Sequence, residues 1–247
     1  MKGLSMRKRT IRGLVTTLMA GFAVLITVSA AALADNGKAG TTMSFFSGGG
    51  GAHADWLATD DQPPGDTDHQ AVRLVTTDQG YAGILFHHVT GIPVAQFPDS
   101  EFWNKAPGGA TLGSPRLVVA FQNALGQFDG YGDLRENARL TSDWEQVSDV
   151  DTYPNSAWVV MGGPCGFRYN VHWSDVQGCF PGDTVLTVYL TTDPYGVSHL
   201  IDDLQVNGKT FSSASDNSNG NNDPAGPNAT TDPSLLPPRM LPATLPH

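Results

Sequence analysis

Asp202 is the acidic residue whose position says most about chemistry. It lies in the stretch Leu200–Val206, whose alternation predicts a β-strand with Leu200, Asp202, Leu204 and Val206 on one face. That face is otherwise apolar, so we expect it to pack on the core of the protein. A carboxylate on such a face must be ion-paired, hydrogen-bonded or bound to a metal ion.

A second acidic cluster, Trp144-Glu145 with Asp149 and Asp151, is the nearest approach to a catalytic pair. Glycoside hydrolysis needs two carboxyl groups that face each other across the sugar, one of them with a raised pKa. The chain has 24 Asp and Glu against 14 Lys and Arg, so surface acidity explains the cluster as well. The sequence has no Gly-x-Ser-x-Gly elbow for a nucleophilic serine. We therefore expect a non-catalytic protein, with a glycoside hydrolase that uses Glu145 and a nearby Asp as the alternative.

Other polar and aromatic residues indicate recognition of a ligand. In the predicted strand Phe167–Trp173, alternation places Phe167, Tyr169, Val171 and Trp173 on the core face, and the residues between them on the solvated face. Solvated side chains of this kind hydrogen-bond sugar hydroxyls while an exposed aromatic ring stacks on the sugar. The alternative is an ordinary solvated face with the aromatic residues in the core. The predicted ligand-binding residues are Arg168, Asn170, His172, Trp103, Trp144 and Tyr189.

The N-terminal segment, residues 1–34, has the layout of a secretory signal peptide. Basic residues precede the apolar stretch Leu14–Val28, and Ala32-Leu33-Ala34 follows just before Asp35. We expect cleavage there, a secreted, extracellular protein and no membrane association afterwards. An uncleaved anchor is the alternative, because the apolar segment is nearly long enough to span a bilayer.

The chain has two cysteines, Cys165 and Cys179. In an oxidising compartment an isolated pair is typical of one disulfide. Closing a loop of this size contributes ~3 kcal/mol in the chain-entropy model. We predict a structural disulfide between them.

Period-two alternation dominates the middle of the chain, while sustained helical spacing is almost absent. Residues 35–70 contain mostly turn-forming residues and predict at most one short strand, and Asp133–Leu140 predicts one or two helical turns. The predicted strands are Ala71–Thr77, Tyr81–Thr90, Arg116–Gln122, Ser156–Met161, Phe167–Trp173, Asp183–Thr191 and Ser198–Val206.

These elements predict an all-β protein, an antiparallel two-sheet jelly-roll-like β-sandwich with one disulfide. Residues 212–247 are rich in Pro, Asn and Ser and lack aromatic residues, which predicts a disordered tail. Residues 43–211 then form the single β-sandwich domain.

Two segments near the C-terminus, Val185–Asp193 and His199–Gly208, resemble the last two strands of secreted bacterial jelly-roll β-sandwich domains. Many such domains are carbohydrate-binding-like or of unknown function. Residues 201–208 are similar to their I-D-x-[IVL]-x-V-N-G pattern, and Gly113–Leu117 also looks like these domains. In the carbohydrate-binding members the Asp of the final strand helps hold a structural calcium ion. The resemblance implies a structural calcium ion at Asp202, and the alternative is an Asp202 that only accepts hydrogen bonds. We expect no other cofactor.

The charge of the chain narrows the class of partner. The net charge is −10, which disfavours nucleic acid and anionic membranes because phosphate contacts require basic side chains. An extracellular polysaccharide or a surface protein remains. We predict a secreted, non-catalytic domain that binds extracellular glycan or a cell-surface ligand, with a structural surface protein without a small ligand as a further alternative.

Overall fold

The computed structural model describes residues 41–108, 115–136, 142–149 and 156–212. Three predicted features lie outside these residues. They are the signal peptide, the tail after Ser212, and Asp151 of the second acidic cluster. In the described part no helix is long and apolar enough to cross a membrane. The elements are β1 (Thr42–Gly48), β2 (His53–Ala58), β3 (Gln70–Val75), β4 (Tyr81–His87), β5 (Glu101–Lys105), β6 (Arg116–Gln122), β7 (Phe128–Glu136), β8 (Glu145–Val147), β9 (Ser156–Gly162), β10 (Gly166–Val171), α1 (Trp173–Cys179), β11 (Thr184–Thr192), β12 (Ser198–Val206) and β13 (Lys209–Phe211).

The strands form two antiparallel sheets. The seven-stranded sheet has the order β1-β4-β11-β6-β7-β9-β10, and the six-stranded sheet contains β2-β3-β12-β5-β8 with β13 paired to β12. Consecutive strands β11 and β12 belong to different sheets, so the chain crosses between the layers. The predicted antiparallel two-sheet β-sandwich is confirmed.

The core lies between the two sheets, and it includes buried residues of the helix α1. Leu134 and Leu190 enter it from the seven-stranded sheet, and Phe102 and Ile201 enter it from the six-stranded sheet. The short helix α1 contributes Trp173, whose ring centroid lies 4.5 Å from that of Trp158 in β9.

The helix α1 replaces the end of a predicted strand. The strand predicted over Phe167–Trp173 ends at Val171, and His172 is the N-cap of α1. The backbone N–H of His172 donates to the Asp175 carboxylate across 3.2 Å, which satisfies a group at the start of the helix. Cys179 at the end of α1 forms a disulfide with Cys165, so the predicted disulfide is confirmed.

Two further predictions about elements are wrong. Residues 35–70 contain two strands, β1 and β2, rather than at most one. Residues 133–136 belong to strand β7 rather than to a helix, because Leu134 packs in the core while its neighbour Asp133 lies on the opposite face. Period two therefore prevails there over the weak helical spacing.

Candidate functional site

The face of the seven-stranded sheet that points away from the core, which we call the outer face of that sheet, carries an apolar cluster of its own. Alternation produces it: in β11, Val188 and Leu190 enter the core, so Tyr189 between them faces outward. The buried members of the cluster are Phe46, Val118, Ala120, Tyr131 and Tyr189, and Tyr81, Leu85, Met161 and Leu186 pack against them half-buried.

Two of the aromatic rings lie directly over the neighbouring strand. Phe46 in β1 is opposite Gly83 in β4, and Tyr81 in β4 is opposite Gly48 in β1. A Cβ atom at Gly83 would lie 2.5 Å from Cζ of Phe46, and one at Gly48 would lie 2.5 Å from Cζ of Tyr81. Only glycine permits this close approach, so the two rings lie directly against the backbone of the neighbouring strand.

A group of charged side chains lies beside the aromatic rings. Asp133 in β7 is 2% exposed, and its Oδ2 atom lies 3.6 Å from Nη2 of Arg135 and 3.9 Å from Nη1 of Arg116. Arg116 also pairs with Asp193, which follows β11. Asp133 Oδ1 and the Nε atoms of Arg116 and Arg135 are buried and have no hydrogen-bond partner. The side chains of Arg116 and Arg135 are about a quarter exposed and that of Asp193 somewhat more, so these three offer donors and acceptors to a ligand.

Burial changes the ionisation of this group. It raises the pKa of Asp133, although the two guanidinium groups oppose the change. Burial, reinforced by the charge of Asp133, also raises the pKa of Tyr131 to about 12. The pKa of Tyr189 is raised for the same reasons. Both phenols stay protonated at neutral pH, so their rings remain uncharged.

A second site lies on the outer face of the six-stranded sheet, where three carboxylates converge. This acidic cluster consists of Asp66 and Asp68, from the loop before β3, and Asp202 from β12. One carboxylate oxygen from each residue lies within 4.8 Å of the others. Asp202 therefore lies beside two other carboxylates, and Asp66 and Asp68 were not predicted as site residues.

In each residue of the acidic cluster, one oxygen is fixed by the backbone. Oδ1 of Asp66 accepts from the N–H of Asp68 (3.1 Å), Oδ1 of Asp68 from that of Gln70 (2.8 Å), and Oδ1 of Asp202 from that of Asp203 (2.8 Å). The Oδ2 atoms of the three aspartates are buried without a partner. Burial, reinforced by Asp66 and Asp68 and opposed by the Asp203 N–H, raises the pKa of Asp202 to about 8.

A β-bulge determines where Asp202 points. Asp202 is opposite Trp103 of β5, but the next registered pair is Gln205 with Glu101, and Asp203 in the bulge has φ 43°. Because of this shift, Ile201 and Leu204 both enter the core, while Asp202 shares the outer face with Trp103. The prediction that Asp202 shares a face with Leu204 and Val206 is therefore wrong.

The donor set of the acidic cluster fits a calcium ion. Calcium takes six to eight oxygen ligands, commonly carboxylates, and the cluster supplies oxygen atoms alone. Zinc sites in proteins are built mainly from cysteine and histidine, and neither residue type belongs to the cluster. Buried oxygens of like charge without partners are costly, and a bound divalent cation removes that cost.

His172 takes part in a third group of titratable residues, at the edge between the sheets. Its Nδ1 atom lies 2.5 Å from Oδ1 of Asp149, whose Oδ2 accepts from the N–H of Trp173. Nearby, Asp99 accepts from Nε1 of Trp158 (3.0 Å). Burial raises the pKa of Asp99 to about 6, with a smaller contribution from Asp149. The two contacts of Asp149 hold the start of α1 in place.

The structure does not bring the six predicted ligand-binding residues together. Arg168 and Asn170 are exposed on β10, at the edge of the seven-stranded sheet. Trp103 lies on the outer face of the other sheet, and Nε1 of Trp144 donates to Asp61 (3.1 Å). Tyr189 is 8% exposed, so the expectation of an exposed ring at that position is wrong.

The prediction that Phe167 and Tyr169 face the core is also wrong. Their side chains are 47% and 53% exposed, because β10 is an edge strand and Phe167 is opposite Met161 on the outer side of β9. Tyr131, Asp133 and Arg135 were not predicted as site residues. Their alternation in β7 is the signal that would have placed them on one face.

Comparisons with known proteins found distant likenesses in fold. No protein-family model matches the chain, and no curated protein matches it. A family 11 carbohydrate-binding module of a cellulase from Clostridium thermocellum is 11% identical, with a TM-score of 0.38, over 67% of this chain and 86% of that one. The CBM22-1 xylan-binding domain of Xyn10C from Paenibacillus barcinonensis is 13% identical, with a TM-score of 0.32, over 70% and 94%.

A third solved structure is the arabinose-bound α-L-arabinofuranosidase MgGH51. It is 12% identical with a TM-score of 0.39, and the match covers 72% of this chain but 24% of the enzyme.

Proposed function

We propose that the protein is an exported, non-catalytic β-sandwich that binds a glycan on the outer face of its seven-stranded sheet. The observation that supports this most directly is that one face combines aromatic rings, of which Tyr81 is half-buried and Phe167 exposed, with partly exposed polar groups. These are the donors of Arg116 and Arg135 and the acceptors of Asp193. A sugar matches both features, since its C–H face stacks on aromatic rings and its hydroxyls donate and accept hydrogen bonds.

The charges on this face favour a neutral glycan. Arg116 and Arg135 are balanced by Asp133 and Asp193, so the group has no excess positive charge. The chain as a whole carries a net charge of −10, which repels a polyanionic chain. A neutral sugar needs no excess positive charge at the site and is not repelled by the net charge of the chain.

Calcium at the acidic cluster is a second part of the proposal. The ion would be held by Asp66, Asp68 and Asp202, and it would tie the loop before β3 to β12. Because the cluster lies on the six-stranded sheet, the ion would stabilise the fold and would not contact a glycan on the other sheet. The three unpartnered Oδ2 atoms support this assignment.

Isothermal titration calorimetry with the full chain tests glycan binding. The probes are xylan, mixed-linkage β-1,3-1,4-glucan and arabinan, with polygalacturonate as the acidic comparison. We expect binding to at least one neutral polysaccharide and a loss of affinity of about tenfold in Arg135→Gln, because a hydrogen bond to a charged group is worth about 1.5–3 kcal/mol.

The matched control is Arg73→Gln, the same substitution on the outer face of the six-stranded sheet, where Arg73 pairs with Asp55. It should leave affinity unchanged, and thermal melting establishes that both variants are folded. Binding to none of the neutral polysaccharides would contradict the proposed function. Equal affinity loss in both variants would contradict the assignment to the seven-stranded sheet.

A further inference from the structure

The edge strand β10 presents two aromatic side chains to solvent. Phe167 and Tyr169 are each about half exposed, and their ring centroids lie 4.4 Å apart at an angle of 87°. Large exposed aromatic groups of this kind mark interaction sites more often than single scattered ones do. The two rings contact each other edge to face, so they form one platform, which we call the β10 aromatic pair.

The β10 aromatic pair continues the outer face described above. Phe167 is opposite Met161, Met161 is opposite Tyr131, Tyr131 is opposite Ala120, and Ala120 is opposite Thr187. Residues opposite each other in neighbouring strands share a face. This cross-strand row therefore runs without interruption from β10 to β11, next to Tyr189.

The length of the row sets the size of a ligand that follows it. Neighbouring strands lie about 4.8 Å apart, so the four steps from β10 to β11 span about 19 Å. One sugar ring cannot reach from the Arg116 and Asp133 group to the β10 aromatic pair and beyond. A chain of several sugar units lying across the strands would contact both.

The disulfide holds the β10 aromatic pair in position. Cys165 directly precedes β10, and its partner Cys179 ends α1, whose Trp173 and Val176 are buried in the core. An edge strand without such a tether would lose more entropy when it binds a ligand. The disulfide therefore keeps an exposed surface rigid, which is what a stacking platform requires.

We propose that the β10 aromatic pair is an outer subsite for a neutral polysaccharide chain that crosses the seven-stranded sheet from β11 to β10. This inference rests on the proposed glycan binding and adds to it that the ligand is a long chain bound along its length. Phe167 and Tyr169 supply apolar contact with a sugar ring. The remaining polar contacts come from Arg116, Arg135 and Asp193, which are partly exposed.

The test compares a long and a short ligand of the same backbone. Calorimetric titrations use xylan against xylobiose, and mixed-linkage β-glucan against cellobiose. In the double variant Phe167→Ala/Tyr169→Ala, affinity for the bound polysaccharide should fall about tenfold, because each stacking contact contributes a substantial part of such an affinity. Affinity for the disaccharide should not change.

Tyr195→Ala is the matched control, since Tyr195 is an exposed aromatic residue outside the cross-strand row. It should leave both affinities unchanged. The conservative variant Phe167→Tyr/Tyr169→Phe should retain the affinity for the polysaccharide, which separates stacking from a general effect on β10. Thermal melting and circular dichroism confirm that each variant is folded.

The outcomes separate the two proposals. Polysaccharide affinity that is unchanged in Phe167→Ala/Tyr169→Ala but reduced in Arg135→Gln would overturn the outer subsite and leave glycan binding in place. A wild-type protein that binds none of the polysaccharides would overturn both. Sedimentation showing that the double variant converts a dimer to a monomer, with unchanged glycan affinity, would assign the pair to a second copy of this chain and also overturn the subsite.

Discussion

The outer faces of the two sheets leave different kinds of buried polar atom without a partner. On the seven-stranded sheet these are a carboxylate oxygen of Asp133 and the Nε atoms of two arginines. In the acidic cluster on the six-stranded sheet they are carboxylate oxygens only. A group of mixed donors and acceptors suits a hydroxylated ligand where its side chains reach solvent, whereas a set of anionic acceptors suits a cation.

The arrangement of charge differs in the same way. Asp133 lies between two guanidinium groups, so opposite charges partly compensate its burial. Asp202 lies next to carboxylates of like sign, which add to the effect of burial on its pKa. The charges around Asp133 nearly cancel without a ligand, whereas the acidic cluster keeps an excess of negative charge. The unsatisfied atoms of each face therefore indicate a different class of ligand, although both faces belong to one sandwich.

The largest expected effect that tests this difference between the two faces is the change in stability that calcium produces in Asp202→Asn. With chelator, the substitution should raise stability, because it removes one of three neighbouring carboxylates. With calcium at about a thousand times its Kd, the wild type gains about 4 kcal/mol, and the variant loses most of that gain. Differential scanning calorimetry in calcium and in chelator measures the reversal.

Asp55→Asn is the control for that measurement, because Asp55 is acidic, lies on the same sheet and forms a half-exposed ion pair with Arg73. Such pairs contribute about 0–1 kcal/mol, so its small effect should be equal in calcium and in chelator. A wild-type melting midpoint that does not respond to calcium or to chelator would contradict the calcium site.

The next effect in size concerns the disulfide, which belongs to the seven-stranded side. Removing it in Cys165→Ala/Cys179→Ala should lower the free energy of unfolding by about 3 kcal/mol and weaken polysaccharide binding. Calcium titrations should be unchanged, because the acidic cluster lies on the other sheet. Urea unfolding and calorimetry measure the two quantities, and treatment of the wild type with a reducing agent should reproduce the result. A changed calcium affinity would show that the two faces are coupled.

The smallest of these effects is a pH dependence of stability that arises from Asp99, which lies on neither outer face. The pKa of Asp99 is raised to about 6 in the folded protein, so folding favours its protonated form. Protonated Asp99 therefore contributes to the free energy of unfolding at low pH, and this contribution is lost as the pH rises from about 4 through about 6. The loss is about 2 kcal/mol after solvent screening.

Asp99→Asn removes that pH dependence, and Arg135→Gln and Asp202→Asn in saturating calcium should retain it. Urea unfolding at a series of pH values between 4 and 7 measures the slope. An unchanged slope in Asp99→Asn would assign the titration to another group.

Strong alternation made the central strands predictable from the sequence. The bounds of β6 and β12 agree with the prediction, since each segment has a long run of alternating or apolar residues. At most one strand was predicted where β1 and β2 lie, because glycine and polar residues dilute their alternation. Helix α1 was missed because seven residues are too few to establish a helical period and its cap is His172 rather than a typical N-cap residue.

The candidate sites were less predictable than the fold. Asp202 could be singled out because a carboxylate interrupts an apolar row, but the bulge at Asp203 reversed the face to which it belongs. Its partners Asp66 and Asp68 are far away in the chain, and their proximity depends on the order of strands in the sheet. The exposure of Phe167 likewise follows from the place of β10 at the edge, which alternation alone does not specify.

The cross-strand row is assembled from segments that lie far apart in the chain, since β6 and β7 precede β10 and β11 by dozens of residues. No short fragment contains it, and strand β11 must be inserted between β4 and β6 before the row is complete. Retention on a polysaccharide matrix would consequently select molecules that have finished folding from truncated or misassembled ones.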